Sequence, residues 1–106
     1  MLIIKTKRIN LGGIALFPVI IINSKLSSER QKVLINHELI HIRQQIELLV
    51  LPFYIIYLFN YLVNRFKYKT HDEAYRNIIF EKEAFSQESN FEYLSKRSLW
   101  NFLKLV

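Results

Sequence analysis

Residues 48–63 read LLVLPFYIIYLFNYLV, and this run limits the fold more than any other feature of the chain. It is 16 residues long and is broken by Pro52 and Asn60. As a helix it reaches roughly 24 Å, short of the roughly 30 Å of hydrocarbon in a bilayer. The length predicts a buried core segment, with a segment lying on or dipping into a membrane as the alternative. Arg65, Lys67 and Lys69 follow at once, which suits a cytoplasmic membrane interface. At the start of the chain, Lys5, Lys7 and Arg8 interrupt the apolar residues and no small-residue cleavage site follows, so no secretory signal is expected. The expected location is cytoplasmic, peripheral to a membrane where residues 48–63 touch one.

The rest of the composition narrows the classes. A chain of 106 residues fits a single domain over 1–106. With 51% apolar and 23% charged residues it is no disordered tail. It has no cysteine, which excludes disulfides, thiolate metal sites, iron–sulfur clusters and a cysteine nucleophile. A net charge of +6 favours anionic partners such as nucleic acid or acidic lipid. The basic residues are spread over both halves without a dense stripe or a recognised motif, so no nucleic acid is expected.

The residue pattern predicts an α+β fold. Residues 2–9 and 14–22 are rich in Ile, Val and Leu and read as strands, with Gly12 and Gly13 as a hairpin turn. Pro18 puts the second strand at a sheet edge or gives it a bulge. Ser28 and Gln31 have the capping-box spacing, so a helix should begin near Glu29. Its apolar stripe is Ile35, Leu39, Ile42, Ile46 and Leu49. Pro52 should end or kink it, with a second helix over about 53–66 and a polar loop over 67–72. A further helix covers roughly 78–87 with Asn77 as a cap, and a final amphipathic one carries Leu94, Leu99, Phe102 and Leu103. The expected architecture is a small N-terminal antiparallel hairpin or sheet packed on a mainly helical core.

Chemistry is concentrated in His37-Glu38-Leu39-Ile40-His41, an H-E-x-x-H motif inside the first helix. Residues four apart lie about 40° from each other around a helix, so both imidazoles point the same way, one turn apart. Such a pair can bind one Zn²⁺. Glu38 sits one step round and can take a proton from a water at the metal. A coincidental pair of packed histidines is the plain alternative. A catalytic zinc wants three protein ligands and an open site. A third histidine in the metzincin manner is ruled out, because the Gly and His positions hold Gln44 and Glu47. His71 is a candidate third ligand in a polar loop. Glu81, in E-x-x-A with the small Ala84 one turn on, is another, and Glu83 and Glu88 compete with it. A solvated Glu81 paired with a lysine is the bland reading.

VLINHELIHIRQQIE, followed about forty residues later by FEKEAF, resembles the gluzincin zinc metallopeptidases, over roughly residues 33–86. The length resembles the single-domain minigluzincins. The HELIHIR wording and the apolar stretch resemble membrane-bound gluzincins of the beta-lactam-sensor and prenyl-protein-processing types. The resemblance implies a zincin-like core, His37, His41 and Glu81 as zinc ligands, Glu38 as general base, and a peptide or protein substrate. It also implies a strand edge, here residues 14–22, that holds the substrate in extended form. Many gluzincins place Asp directly after the small residue, to orient the first histidine. Here Phe85 stands there, so the partner of His37 must be Glu88, Gln44 or a backbone carbonyl. Tyr75 and His71 are the candidate proton donors. If residues 48–63 crossed a bilayer once, His41 and Glu81 would lie on opposite sides, so a shared metal site excludes a single span.

Two other readings use the same residues. One is a non-catalytic helical interaction module at a membrane, with Lys96, Arg97, Lys104 and Trp100 seating its last helix on an anionic surface. The other is a zinc-binding chain that does not cut, or one whose cleft is blocked by its own N-terminal strands.

Overall fold

A computed structural model describes residues 2–105. The apolar N-terminal runs form three strands: β1 (Leu2–Thr6), β2 (Gly13–Leu16) and β3 (Val19–Asn23). The sheet is mixed and ordered β1-β3-β2, with β1 parallel and β2 antiparallel to β3. This corrects the expected hairpin between residues 2–9 and 14–22. Phe17 and Pro18 turn the second run back on itself, because proline cannot continue a ladder. The run therefore yields two strands, and its second half becomes the central strand. Gly12 and Gly13 do not make the hairpin turn: the Gly12 carbonyl accepts from the Asn23 amide, and Gly13 opens β2. The Asn23 side chain donates to the carbonyls of Ile9 and Leu11, which holds the preceding loop against the sheet.

Five helices follow: α1 (Ser28–Glu47), α2 (Leu51–Lys67), α3 (His71–Arg76), α4 (Ile79–Gln87) and α5 (Tyr93–Lys96), with a final 3-10 turn over Asn101–Leu105. The cap of α1 is Ser27, one residue before the expected Ser28, and its hydroxyl accepts from the Arg30 amide. The Gln31 side chain turns back to the Leu26 carbonyl instead of closing a capping box. Ile20 and Ile22 of β3 pack on Leu34 and Ile42 of α1, with Ile35 and Leu39 at the margin. Ile46 and Leu49, expected to continue that stripe, are exposed, because His37, His41, Gln44 and Gln45 take the buried face of α1.

The break between α1 and α2 falls at 48–50, before Pro52, and Leu49 and Val50 take positive φ there. Pro52 sits in the first turn of α2, where its missing amide costs nothing. The polar residues of α2 point inward. The side-chain Oδ1 of Asn60 accepts from the Ile79 amide and so caps α4, and the Asn64 side chain donates to the Ala74 carbonyl. The polar loop expected over 67–72 shrinks to 68–70. The hydroxyl of Thr70 accepts from the Glu73 amide and starts α3, so His71 is the first residue of a helix. Asn77 ends α3 and does not cap α4.

A second apolar cluster joins Phe53, Ile78, Phe80 and Phe102. Phe80 stacks on Phe53 with ring centroids 4.6 Å apart and meets Phe102 edge-on. The expected last helix is broken, because Arg97 leaves α5 in extended conformation and inserts between two acids. Its side chain is fully buried and pairs with Glu83 and Glu47, so it is not part of an anion-binding face. Glu83 also accepts from Tyr93 and from Gln44. Removing the cation strands two buried carboxylates. Arg97→Ala should cost about 3–5 kcal/mol in urea denaturation, whereas a surface truncation such as Lys96→Ala should stay within about 0.5 kcal/mol.

Candidate metal centre

His37, Glu38 and His41 lie on the buried face of α1, and Glu81 lies in the first turn of α4. All four are nine-tenths buried or more. Glu81 Oε1 is 3.0 Å from His37 Nε2 and 2.9 Å from His41 Nε2, and the two nitrogens are 3.2 Å apart. Tetrahedral bonds of about 2.0–2.1 Å put neighbouring ligand atoms about 3.3 Å apart, so this triangle is nearly the size a bound ion requires. These three residues form a group able to hold a metal ion.

The outer nitrogens say which way the lone pairs point. His37 Nδ1 is 2.7 Å from Glu88 Oε1, an acceptor, so Nδ1 carries the proton and donates. His41 Nδ1 is 2.8 Å from Gln44 Oε1. Gln44 is oriented in turn by its Nε2, which donates to the Phe80 carbonyl and to Glu83 Oε1. His41 Nδ1 therefore donates as well. In their neutral forms both imidazoles direct Nε2 lone pairs at one carboxylate oxygen. Three lone pairs meeting at that spacing call for a cation between them.

Without a metal that cation is a proton. Burial alone would lower the pKa of His41, but the Glu81 carboxylate outweighs it and pushes the value up to about 9. Burial works to raise Glu81, and His41, with hydrogen bonds from both histidines and Tyr57, pulls it well below the usual carboxylate range. Tyr57 of α2 donates to Glu81 Oε2 at 2.6 Å and fixes the second oxygen.

Glu38 has a different setting. Burial raises its pKa, against the pull of His41 and His37. Among the described residues no group hydrogen-bonds its carboxylate. It faces a cleft of about 620 Å³ between β2, α1, α2 and α3. Gly13 forms the wall opposite, and a Cβ there would stand 3.2 Å from Glu38 Oε2.

The expected strand edge is now narrower. β3 is interior, and β2 alone borders the cleft. Gly12 bonds toward β3, so by antiparallel alternation Gly13, Ala15 and Phe17 present their amides and carbonyls outward. Gln45 takes two of these groups as a neighbouring strand would: its Oε1 accepts from Phe17 N–H and its Nε2 donates to the Ala15 carbonyl. Tyr54 adds a third bond there. The stretch at Gly13, beside Glu38, remains open.

Of the residues singled out from sequence, His37, His41, Glu81 and Glu38 come together. Glu83 does not: it belongs to the Arg97 pair. Glu88 is the His37 partner, and Arg30 contacts its other oxygen at 3.5 Å. Phe85 packs edge-on against the His37 ring. His71 and Tyr75 both line the cleft, and His71 Nδ1 is 2.7 Å from the Tyr61 hydroxyl. Tyr57 escaped the sequence reading. Its signal was the stripe Phe53, Tyr57, Asn60 and Asn64, which marks the inner face of an otherwise apolar helix. Comparison with protein-family models, curated proteins and solved structures returns no match.

A raised folded-state value for His41 stabilises the metal-free fold fully below 6.5, and that contribution is lost as pH rises through about 9. The lowered Glu81 stabilises above 4.5 and loses its contribution as pH falls below that. The melting temperature of the metal-free chain should thus fall from pH 6.5 to 9, and Glu81→Gln should flatten the decline. An unchanged slope in that variant would detach the pH dependence from this pair.

Proposed function

We propose that this chain is a gluzincin-type zinc metallopeptidase with a zincin-like core, cutting peptide bonds in an extended substrate. One observation carries the reading: two imidazoles with their outer protons committed and one carboxylate oxygen converge next to an unpartnered buried glutamate in a cleft. Two nitrogens and one oxygen are a donor set that suits zinc. His37, His41 and Glu81 would hold the ion. What zinc supplies in such a site is Lewis acidity toward a peptide carbonyl and a lowered pKa for water.

The protein groups divide the remaining work. Glu38, free of hydrogen bonds and raised by burial, accepts the proton of the attacking water at its carboxylate and later returns one to the leaving amine. Glu88 and Gln44 hold the two imidazoles in the tautomers that leave Nε2 free. Tyr57 keeps Glu81 from turning. Tyr75 is the donor we assign to the developing oxyanion. Burial first, and the Glu81 charge second, keep its phenol protonated. His71 suits that role less well, since it is exposed and its Nδ1 is engaged by Tyr61. Gly13 offers main-chain groups to a substrate strand at the point nearest Glu38.

Zinc measured by mass spectrometry on the purified, reconstituted protein should be one per chain, and His41→Ala and Glu81→Ala should lose it. Glu88→Gln should weaken zinc binding about 10–100-fold without abolishing it. Glu38→Gln should keep zinc and lose cleavage of an unstructured protein substrate. Wild type that stays zinc-free would remove the reading altogether. Full cleavage by the Glu38 variant would remove the mechanism.

A further inference from the structure

The polarity of α2 is inverted. Its polar groups, Tyr54, Tyr57, Asn60, Tyr61 and Asn64, turn inward and are all hydrogen-bonded. Its outward face is Leu51, Ile55, Leu58, Phe59, Leu62 and Phe66, at helical spacing along one side. These side chains are exposed: Phe59 is 68% and Phe66 94% accessible. At the elbow before α2, Leu49 is 80% accessible, and Trp100 donates its indole N–H to the Glu47 carbonyl beside it. The stripe runs roughly 22 Å, from Leu51 to Phe66. A continuous apolar face of this kind marks an interaction site.

Charge selects the occupant. From Leu48 to His71 the chain contains no carboxylate, and Arg65, Lys67 and Lys69 cluster where the stripe ends. All three are exposed, and among the described residues none pairs with an acid. Phe66, the most exposed aromatic among the described residues, stands between two of these cations. An apolar face with cations and bulky aromatics at its margin is built for a boundary between hydrocarbon and anionic headgroups. No single helix among the described residues is long and apolar enough to cross a bilayer, and α1 and α2 meet at 114°. We propose that α2 lies in the surface of an anionic lipid bilayer, stripe inward, with Arg65, Lys67 and Lys69 among the headgroups. Membrane contact was expected from residues 48–63. The inversion of α2 adds which face makes it and which residues flank it, and replaces the buried-core reading. The inference does not need the peptidase reading. It does put the cleft about one helix diameter from the lipid, because Tyr57 reaches Glu81 from the other side of the same helix.

Sedimentation of the full chain with vesicles tests this. The protein should bind phosphatidylcholine vesicles containing phosphatidylglycerol and bind pure phosphatidylcholine far less. Phe59→Ser with Phe66→Ser should weaken binding at least about 10-fold, given the apolar area lost from the bilayer. Lys67→Gln with Lys69→Gln should weaken it roughly 10-fold, and added salt should mimic that change. Circular dichroism and melting temperature should be unchanged in both variants, since the four side chains are exposed. Equal binding by wild type and the Phe variant would overturn the proposal. So would a lipid-free dimer that the Phe variant dissociates, with no vesicle binding by wild type, because the stripe would then face a second copy.

Discussion

A carboxylate held between two imidazoles ties together helices that start some fifty residues apart. Glu81 belongs to α4 and the histidines to α1, and all three are buried at the floor of the cleft. A buried charge is costly unless every neighbour is arranged for it, and here the arrangement spreads outward as a chain of hydrogen bonds. From Glu81 it passes through His37 to Glu88 and Arg30. On the other side it passes through His41 to Gln44, Glu83, Arg97 and Glu47. Each acceptor is satisfied by the next donor, and both branches reach an arginine. The orientation of each imidazole is thus set several residues away from the site itself.

That network explains why the apolar core is divided. The buried face of α1 between Asn36 and Gln45 is largely polar, so no single greasy core can run through the molecule. One small cluster forms between β3 and α1, and another forms around Phe80 between α2, α4 and the C-terminal turn. Asn36 joins α1 to the end of α4 by donating to the carbonyls of Gln87, Glu88 and Asn90. Removal of one polar partner is felt as an unsatisfied buried group more than as a lost contact.

The motif chemistry was legible because helical spacing is local. His37 and His41 four apart, and Glu88 seven after Glu81, fall on shared faces whatever the rest of the chain does. The α+β class, α2 and α4 were legible for the same reason. Sheet order was not, since it depends on the parallel pairing of β1 with β3, which no adjacent residues encode. α3 is hard to see in sequence although Thr70 and Glu73 carry a capping-box spacing, because the polar composition of 67–72 also suits a loop. Arg97 looked like a surface cation because nothing nearby in sequence announces the two acids that bury it. Tyr57 was hidden by the same hydrophobicity that drew attention to its helix.

The excursion of the chain between His41 and Glu81 decides what α2 can be. α1 brings His41 to one side of it and α4 brings Glu81 back to the same buried site, so both ends of α2 must stay on one side of any bilayer. Its inner face is committed as well: Tyr57 to Glu81, Asn60 to the start of α4, Asn64 to α3. Only the outer face is free to vary, and it is apolar along its whole length. A free face turned to water would tolerate polar residues at no cost to these contacts, and an apolar stripe costs solubility. The inner contacts hold His37, His41 and Glu81 together, and the outer stripe is left without a contact in the fold. A helix crossing a bilayer would leave the outer stripe covered but would part His41 from Glu81, so the inner contacts decide against it.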